Sequence, residues 1–222
     1  MGFETTGRGF VVDGRAIQVG VSSGPPSGVS RWEFEQNLDD SWNGYDGTDN
    51  TSAGYSTTAR VGTYSKDFDG VDDFVDVGDI NELDGVSEFS ISFWMYYDSS
   101  MEDGSNYGVV CKDPDGFTDA ILFRFGVAGS KFIFYVDNSN TSTGPRIPYS
   151  ALGPDTWHHI VGTFNSGTLR IYLDGSEYAN ETNGPTTTAT TTDSVEFGEF
   201  NGNYYDGLLD DVRIYGRQLS DT

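Results

Sequence analysis

The stretch Thr156–Gly175, TWHHIVGTFNSGTLRIYLDG, decides how the rest of the chain is read. Side-chain character alternates from Trp157 to Phe164 and again from Leu169 to Leu173. In the second run Leu169, Ile171 and Leu173 fall on one side, Arg170 and Tyr172 on the other. A period of two sets one face on a core and the other in solvent, which is a strand pattern. Asn165-Ser166-Gly167 between the runs is a short turn, and its glycine tolerates positive φ. Asp174-Gly175 makes a second tight turn before Glu177–Asn180. The unit is an antiparallel meander.

The same pattern recurs outward from it. Upstream lie apolar or alternating runs at Arg31–Glu35, Lys66–Asp69, Asp73–Val77, Phe89–Tyr97, Tyr107–Lys112, Ala120–Val127 and Lys131–Val136; downstream lie Val195–Phe200 and Leu208–Tyr215. Asn37–Ser56 and Asn183–Thr192 read as long polar loops. No helix and no internal repeat stands out. Many short strands bounded by turn residues predict an all-β, antiparallel two-sheet sandwich. Gly9–Val21 adds a short hairpin around Asp13-Gly14, followed by the Pro/Gly linker Ser22–Gly28. An arm over residues 1–28 is too small to bury a core. It is expected to dock on the main domain at 29–222, on another copy in a homo-oligomer or larger assembly, or on a partner.

Four segments carry a resemblance. RWEFEQNLDDSWNG, KDFDGVDDFVDVGD, EFSISFWMYY and YYDGLLDDVRIYGRQLSDT, together with the W-H-x-I and L-x-I-Y-L-D-G hairpin, occur in the order found in laminin-G-like, concanavalin-A-like lectin/glucanase domains. The chain resembles that family from about Arg31 onward. The resemblance implies a jelly roll, usually non-catalytic, often binding glycans or protein surfaces and often holding calcium.

Composition bounds the partners. The 222 residues suit one β domain, and their formal charge is −23, from 35 acidic against 12 basic residues. Such a surface repels phosphate, so nucleic acid is excluded. The only lysines are Lys66, Lys112 and Lys131. An acidic, lysine-poor surface points to a halophile, whose salt screens the self-repulsion. No apolar run reaches membrane-spanning length, so no membrane insertion is expected. Met1 begins no signal peptide, yet domains of this kind work outside cells. Extracellular or virion-surface display of a protein assembled inside the cell is therefore expected. Cys111 stands alone in an apolar run and reads as a small hydrophobe.

Catalysis finds little support. Glycoside hydrolysis needs two carboxylates flanking one bond. Glu33 and Glu35 share a face without a third member, while Glu196 and Glu199 fall on opposite faces. His158 and His159, adjacent on a strand, point to opposite faces, one beside the core. Calcium, which takes six to eight oxygens, has a candidate site in Asp40, Asn43 and Asp210. Asp210 alternates with Val212 and Ile214 and so reads as pointing inward, needing either a cation or backbone N–H donors from the Asp40 loop. For ligand binding, Trp42, Tyr45, Tyr204 and Tyr205 come from two loops expected to meet at one rim, and exposed aromatics beside polar groups suit sugar stacking or protein contact. A second set, Trp94, Tyr96, Arg124, Tyr135, Arg170 and Tyr172, falls on non-core faces and could form an aromatic-basic strip. The sequence reading is a non-enzymatic recognition or adhesion module for glycan or a host surface protein, displayed on a head or tail fibre or a cell surface of a halophile. A purely structural decoration protein is the alternative, and a glycoside hydrolase a distant one.

Overall fold

Two antiparallel sheets pack face to face as a jelly-roll sandwich in the computed structural model, which describes residues 11–12, 15–16, 28–51, 53–113, 116, 120–126, 130–138 and 144–220. The strands of the main body are β1 (Gly28–Trp32), β2 (Thr48–Asn50), β3 (Tyr55–Ser56), β4 (Ser65–Asp69), β5 (Phe74–Asp76), β6 (Glu88–Tyr97), β7 (Gly108–Lys112), β8 (Ile121–Gly126), β9 (Lys131–Val136), β10 (Arg146–Pro148), β11 (His158–Asn165), β12 (Thr168–Leu173), β13 (Ser176–Glu181), β14 (Val195–Phe197) and β15 (Asp206–Tyr215). The eight-stranded sheet runs β13-β12-β11-β6-β15-β4-β3, with β1 also paired to β15; the seven-stranded sheet runs β10-β9-β8-β7-β14-β5-β2. β1 and β15 pair antiparallel, Trp32 opposite Val212.

The alternation predicted for β6 sets the core. Phe89, Ile91, Phe93 and Met95 are fully or almost fully buried and face the opposite sheet. There Phe123 and Phe134 stack with ring centroids 4.5 Å apart, and Phe93 meets Phe123 edge-on at 5.2 Å. Burying each such ring is worth roughly 1.5–3 kcal/mol, so this aromatic layer dominates the stability of the sandwich. Gly162 on β11 is what lets the rings sit so close. A Cβ there would lie 2.3 Å from the Phe123 ring.

Two of the three lysines are internal. Lys66 is fully buried; its ammonium lies 2.8 Å from Asp49 and over the Tyr55 ring at 4.5 Å, joining β4 of one sheet to β2 of the other. Lys112 on β7 reaches Asp79 at 2.5 Å, Asp84 at 3.4 Å and the Asp193 carbonyl at 3.0 Å, clasping the 78–84 loop to the seven-stranded sheet. A buried ammonium is tolerated only when such acceptors surround it.

Several short elements lie where the sequence reads as loop. β2 and β3 fall inside Asn37–Ser56, β10 precedes a single helical turn at Tyr149–Leu152, and Glu199–Phe200 pairs with Asn203–Tyr204. They are edge pieces whose pairing partners, rather than their own residues, make them strands. Val11–Val12 pairs with Arg15–Ala16 about Asp13-Gly14, the hairpin the sequence signals. The rest of residues 1–27, and with them any docking of the arm, lies outside the described residues.

The outer face of the eight-stranded sheet is the candidate functional site

Register places the outward residues of this sheet in rows. Asp210, Trp94 and His159 are opposite one another across β15, β6 and β11. The next row holds Arg31, Arg213, Ser92, Val161 and Tyr172. A row on the other side brings Leu208 beside Tyr96, whose ring meets Trp157 at 5.7 Å.

Asp210 does not point inward. The pairing of β15 with β6 shifts register between Asp210 and Arg213, and Asp211 has φ +49°. That bulge inserts a residue, so Asp210 and Asp211 both leave the parity of Val212 and Ile214. Asp210 faces out yet is fully buried, because the loop between β3 and β4 folds over it. Its Oδ2 accepts the Arg60 and Val61 N–H groups at 2.7 Å each, and Oδ1 has no hydrogen-bond partner. Burial, and then the neighbouring Asp211 and Glu35, push its carboxyl up to about 7 against those two N–H bonds.

The same loop delivers Arg60, whose guanidinium sits 4.3 Å above the Trp94 ring. Trp94 also lies 4.8 Å from the His159 ring, tilted 36°. Burial, helped by the positive charge of Arg213 and Arg60, holds His159 down to about 4, so the ring is neutral. Arg31 and Arg213 both reach Asp211, and Arg170 reaches Glu177 at 3.3 Å. At the far end the C-terminal segment crosses the face: the Ser90 hydroxyl donates to the Arg217 carbonyl, and the Leu219 N–H donates back to it, both at 2.9 Å. A groove of about 400 Å³ lies there, lined by Arg170, Tyr172, Glu177, Gln218, Leu219 and Ser220.

The rim predicted from Trp42, Tyr45, Tyr204 and Tyr205 does not assemble. After β1 the chain folds back along it, Asp40 bridging to Trp32, so Trp42 packs edge-on against Tyr215 at the C-terminal end of β15. Tyr204 lies just before the opposite end of β15, against Phe74. A strand of that length separates the two by roughly 30 Å. Tyr205 is a core residue whose hydroxyl donates to the Tyr96 carbonyl at 2.7 Å. Tyr45 donates to Glu82 at 2.6 Å, and that bond and burial push its hydroxyl up to about 12. The aromatic-basic strip is divided as well. Trp94, Tyr96, Arg170 and Tyr172 lie on this sheet, while Arg124 and Tyr135 lie on the outside of the other, beside Cys111, Leu122 and Phe200.

The residues predicted for calcium do not form one centre. Both Asp40 oxygens are engaged: Oδ1 accepts the Arg31 and Trp42 N–H groups, Oδ2 those of Asn43 and Tyr45. Burial opposes ionisation there, but those four donors hold its carboxyl below the usual range. Asn43 turns its amide nitrogen to the Gly28 and Val29 carbonyls. Asp210 lies across β1, under the Arg60 loop. A set split this way does not fit an ion that wants six to eight converging oxygens. Among the described residues, the carboxylates that do converge, within 4.8 Å, are Asp69, Asp72 and Asp73. Two of these are already hydrogen-bonded within their own turn, Asp69 to the Val71 N–H and Asp73 to the Asp69 N–H.

Three of the other carboxylates weighed for catalysis, Glu33, Glu35 and Glu199, are occupied structurally. Glu33 pairs with Arg31 and accepts from Ser41; Glu35 accepts the Thr63 N–H at 2.7 Å; Glu199 accepts the Gly202 N–H. His158 packs at the core edge with Asp174 at 3.0 Å, while His159 faces outward, as their adjacency required. Sequence reasoning missed Arg60, Trp157 and Arg213 as parts of this face. Arg213 was legible by its period; Arg60 sits in a polar loop with no local signal.

Known structures share this architecture. Domain 4 of a GH43 extracellular arabinanase from Geobacillus stearothermophilus, solved with arabinotriose, matches 87% of this chain and 94% of its own length, at TM-score 0.68 and 19% identity. The receptor binding domain of botulinum neurotoxin D matches 88% of the chain at TM-score 0.68 and 15% identity, and the neurotoxin DC binding domain, solved with rat synaptotagmin II, at 0.67 and 17%. The chain spans about half the length of these toxin domains (50% and 49%). At such identities the likeness is one of fold. No curated protein matches the sequence. The family model described as the concanavalin A-like lectin/glucanases superfamily matches residues 69–222, and the chain belongs to that superfamily.

Proposed function

We propose that the protein is a non-catalytic recognition domain that binds glycan across the outer face of its eight-stranded sheet. The observation that carries this reading is the row arrangement itself: the half-buried Tyr96, Trp157 and His159, beside the nearly buried Trp94 and Tyr172, share one face with four arginines. Aromatic faces stack on sugar C–H groups while guanidinium and serine groups fix orientation. The arabinotriose bound to the arabinanase domain is consistent with saccharide binding by this fold. Asp210 titrates near 7, as a general acid would, but the loop seals it, and Asp211 is locked between two arginines. This favours binding over hydrolysis.

The test is a glycan array and host-cell binding in molar KCl, with release of reducing sugar followed in parallel. Trp157→Ala and Tyr96→Ala should each weaken binding by about 2 kcal/mol, the usual scale for truncating an aromatic anchor. Trp42→Ala and Tyr204→Ala, at the two ends of β15, should leave it unchanged. Loss through the latter pair alone would return the site to the rim. No binding by the intact protein would favour a decoration role.

On the same reading the domain is the outward-facing part of a virion fibre or cell-surface assembly of a halophile, held by its arm at residues 1–28. The surface charge motivates the check. Raising KCl from 0.1 to 1 M shortens the screening length from about 10 to about 3 Å. The unfolding midpoint should climb steadily over that range, each kcal/mol of relieved repulsion adding roughly 2–4 °C. A flat or falling midpoint would remove the halophile from the proposal.

A further inference from the structure

The charge of the candidate face differs from that of the whole molecule. The protein is formally −23, yet Arg31, Arg60, Arg170 and Arg213 gather on this one face. Three of them are matched to carboxylates: Arg31 to Glu33 and Asp211, Arg213 to Asp211, Arg170 to Glu177. Arg60 is not. Its guanidinium lies over Trp94 and pairs with no carboxylate among the described residues. In a chain with 35 acidic residues an exposed arginine held clear of them, on an aromatic ring, is placed by the fold. The placement is firm, because the backbone of Arg60 and Val61 is tied to Asp210 and that of Thr63 to Glu35.

Ring stacking engages the face of a guanidinium and leaves its N–H edge open, and that edge matches the two oxygens of a carboxylate or sulfate. The neutral His159 on one side of Trp94 adds no negative charge at neutral pH, and Asp210 on the other, sealed beneath the loop, is raised to about 7 and so only partly ionised there. High salt screens the long-range repulsion between an acidic protein and an acidic ligand, while contact hydrogen bonds persist. We infer that the saccharide taken on this face is an acidic one, its carboxylate or sulfate bound edge-on by Arg60 and its ring lying toward Trp94 and His159. This rests on the proposed glycan-binding role and adds the ligand class.

The experiment is calorimetric titration in molar KCl with matched probes. One pair is a galacturonate trisaccharide and its C6-reduced neutral counterpart; the other is a sulfated galactan trisaccharide and its desulfated form. The acidic member of at least one pair should bind about tenfold tighter, or ~1.4 kcal/mol. Arg60→Gln should erase that preference while leaving affinity for the neutral member within about twofold. Equal affinity for acidic and neutral members, or equal loss of both in Arg60→Gln, would overturn the acidic ligand and leave glycan binding standing. If no member of either pair binds while the array shows another neutral glycan binding, the acidic ligand alone falls. If nothing binds in either experiment, both readings fall together.

Discussion

Replacing Lys112 by methionine is expected to destabilise the protein by about 3–5 kcal/mol, the usual cost of removing one member of a buried ion cluster. The ammonium is almost wholly enclosed, and it is the shared counter-charge of Asp79 and Asp84, whose side chains are 25% and 10% exposed. Methionine fills the volume but leaves two carboxylates facing an apolar chain and strands the Asp193 carbonyl. Urea unfolding at fixed salt reads the loss. Adding Asp79→Asn and Asp84→Asn to the Lys112→Met variant should restore part of it, because the residual cost is unpaired charge rather than packing. A single-variant cost under about 1 kcal/mol would show that the clasp contributes no more than an exposed pair.

A loss of similar size is expected from pH alone, through Asp210. Its folded carboxyl lies near 7, against an ordinary value of 3.8. A group raised in the folded state contributes fully below its unfolded pKa and loses that contribution as pH rises through the folded one. Between about pH 4 and pH 8 this residue alone should therefore lower stability by roughly 4 kcal/mol. His159 works the other way. Held near 4 against 6.5, it stabilises the fold above pH 6.5 and withdraws that support as pH falls toward 4. The two partly cancel between 4 and 6.5, so the net decline should be concentrated from pH 6.5 to 8. Asp210→Asn keeps an oxygen for the Arg60 and Val61 N–H groups and cannot ionise. The difference in unfolding free energy between this variant and the parent should move in favour of asparagine by about 2–3 kcal/mol from pH 5 to pH 8. A difference constant with pH would place the titration elsewhere.

The architecture was legible because bulky residues at period two admit few alternatives. β6, β8, β9, β11 and β12 follow the predicted alternation, and their inward Phe and Ile side chains form the core. The site was less legible, for physical reasons that particular residues show. The turn of parity in β15 depends on one left-handed residue, Asp211, and the only local trace is an Asp-Asp doublet where alternation would have buried one of them. The fold-back of the Asp40 loop is set by four N–H bonds to a single carboxylate, a closure that composition does not announce. Tyr204 and Tyr205 did carry a signal: adjacent residues in extended chain point apart, so both could not serve one surface. Arg60 has its meaning only from Trp94, which topology, not sequence proximity, brings beneath it.

The internal placement of two lysines also governs how the protein can be attached to a support. Amine-reactive esters need a solvent-exposed amine, and Lys66 and Lys112 are enclosed while the fold is intact. Among side-chain amines that leaves Lys131, at the start of β9, pointing away from the core on the outside of the seven-stranded sheet. Coupling through it would orient immobilised molecules alike, with the arginine-bearing face of the opposite sheet turned toward the solution.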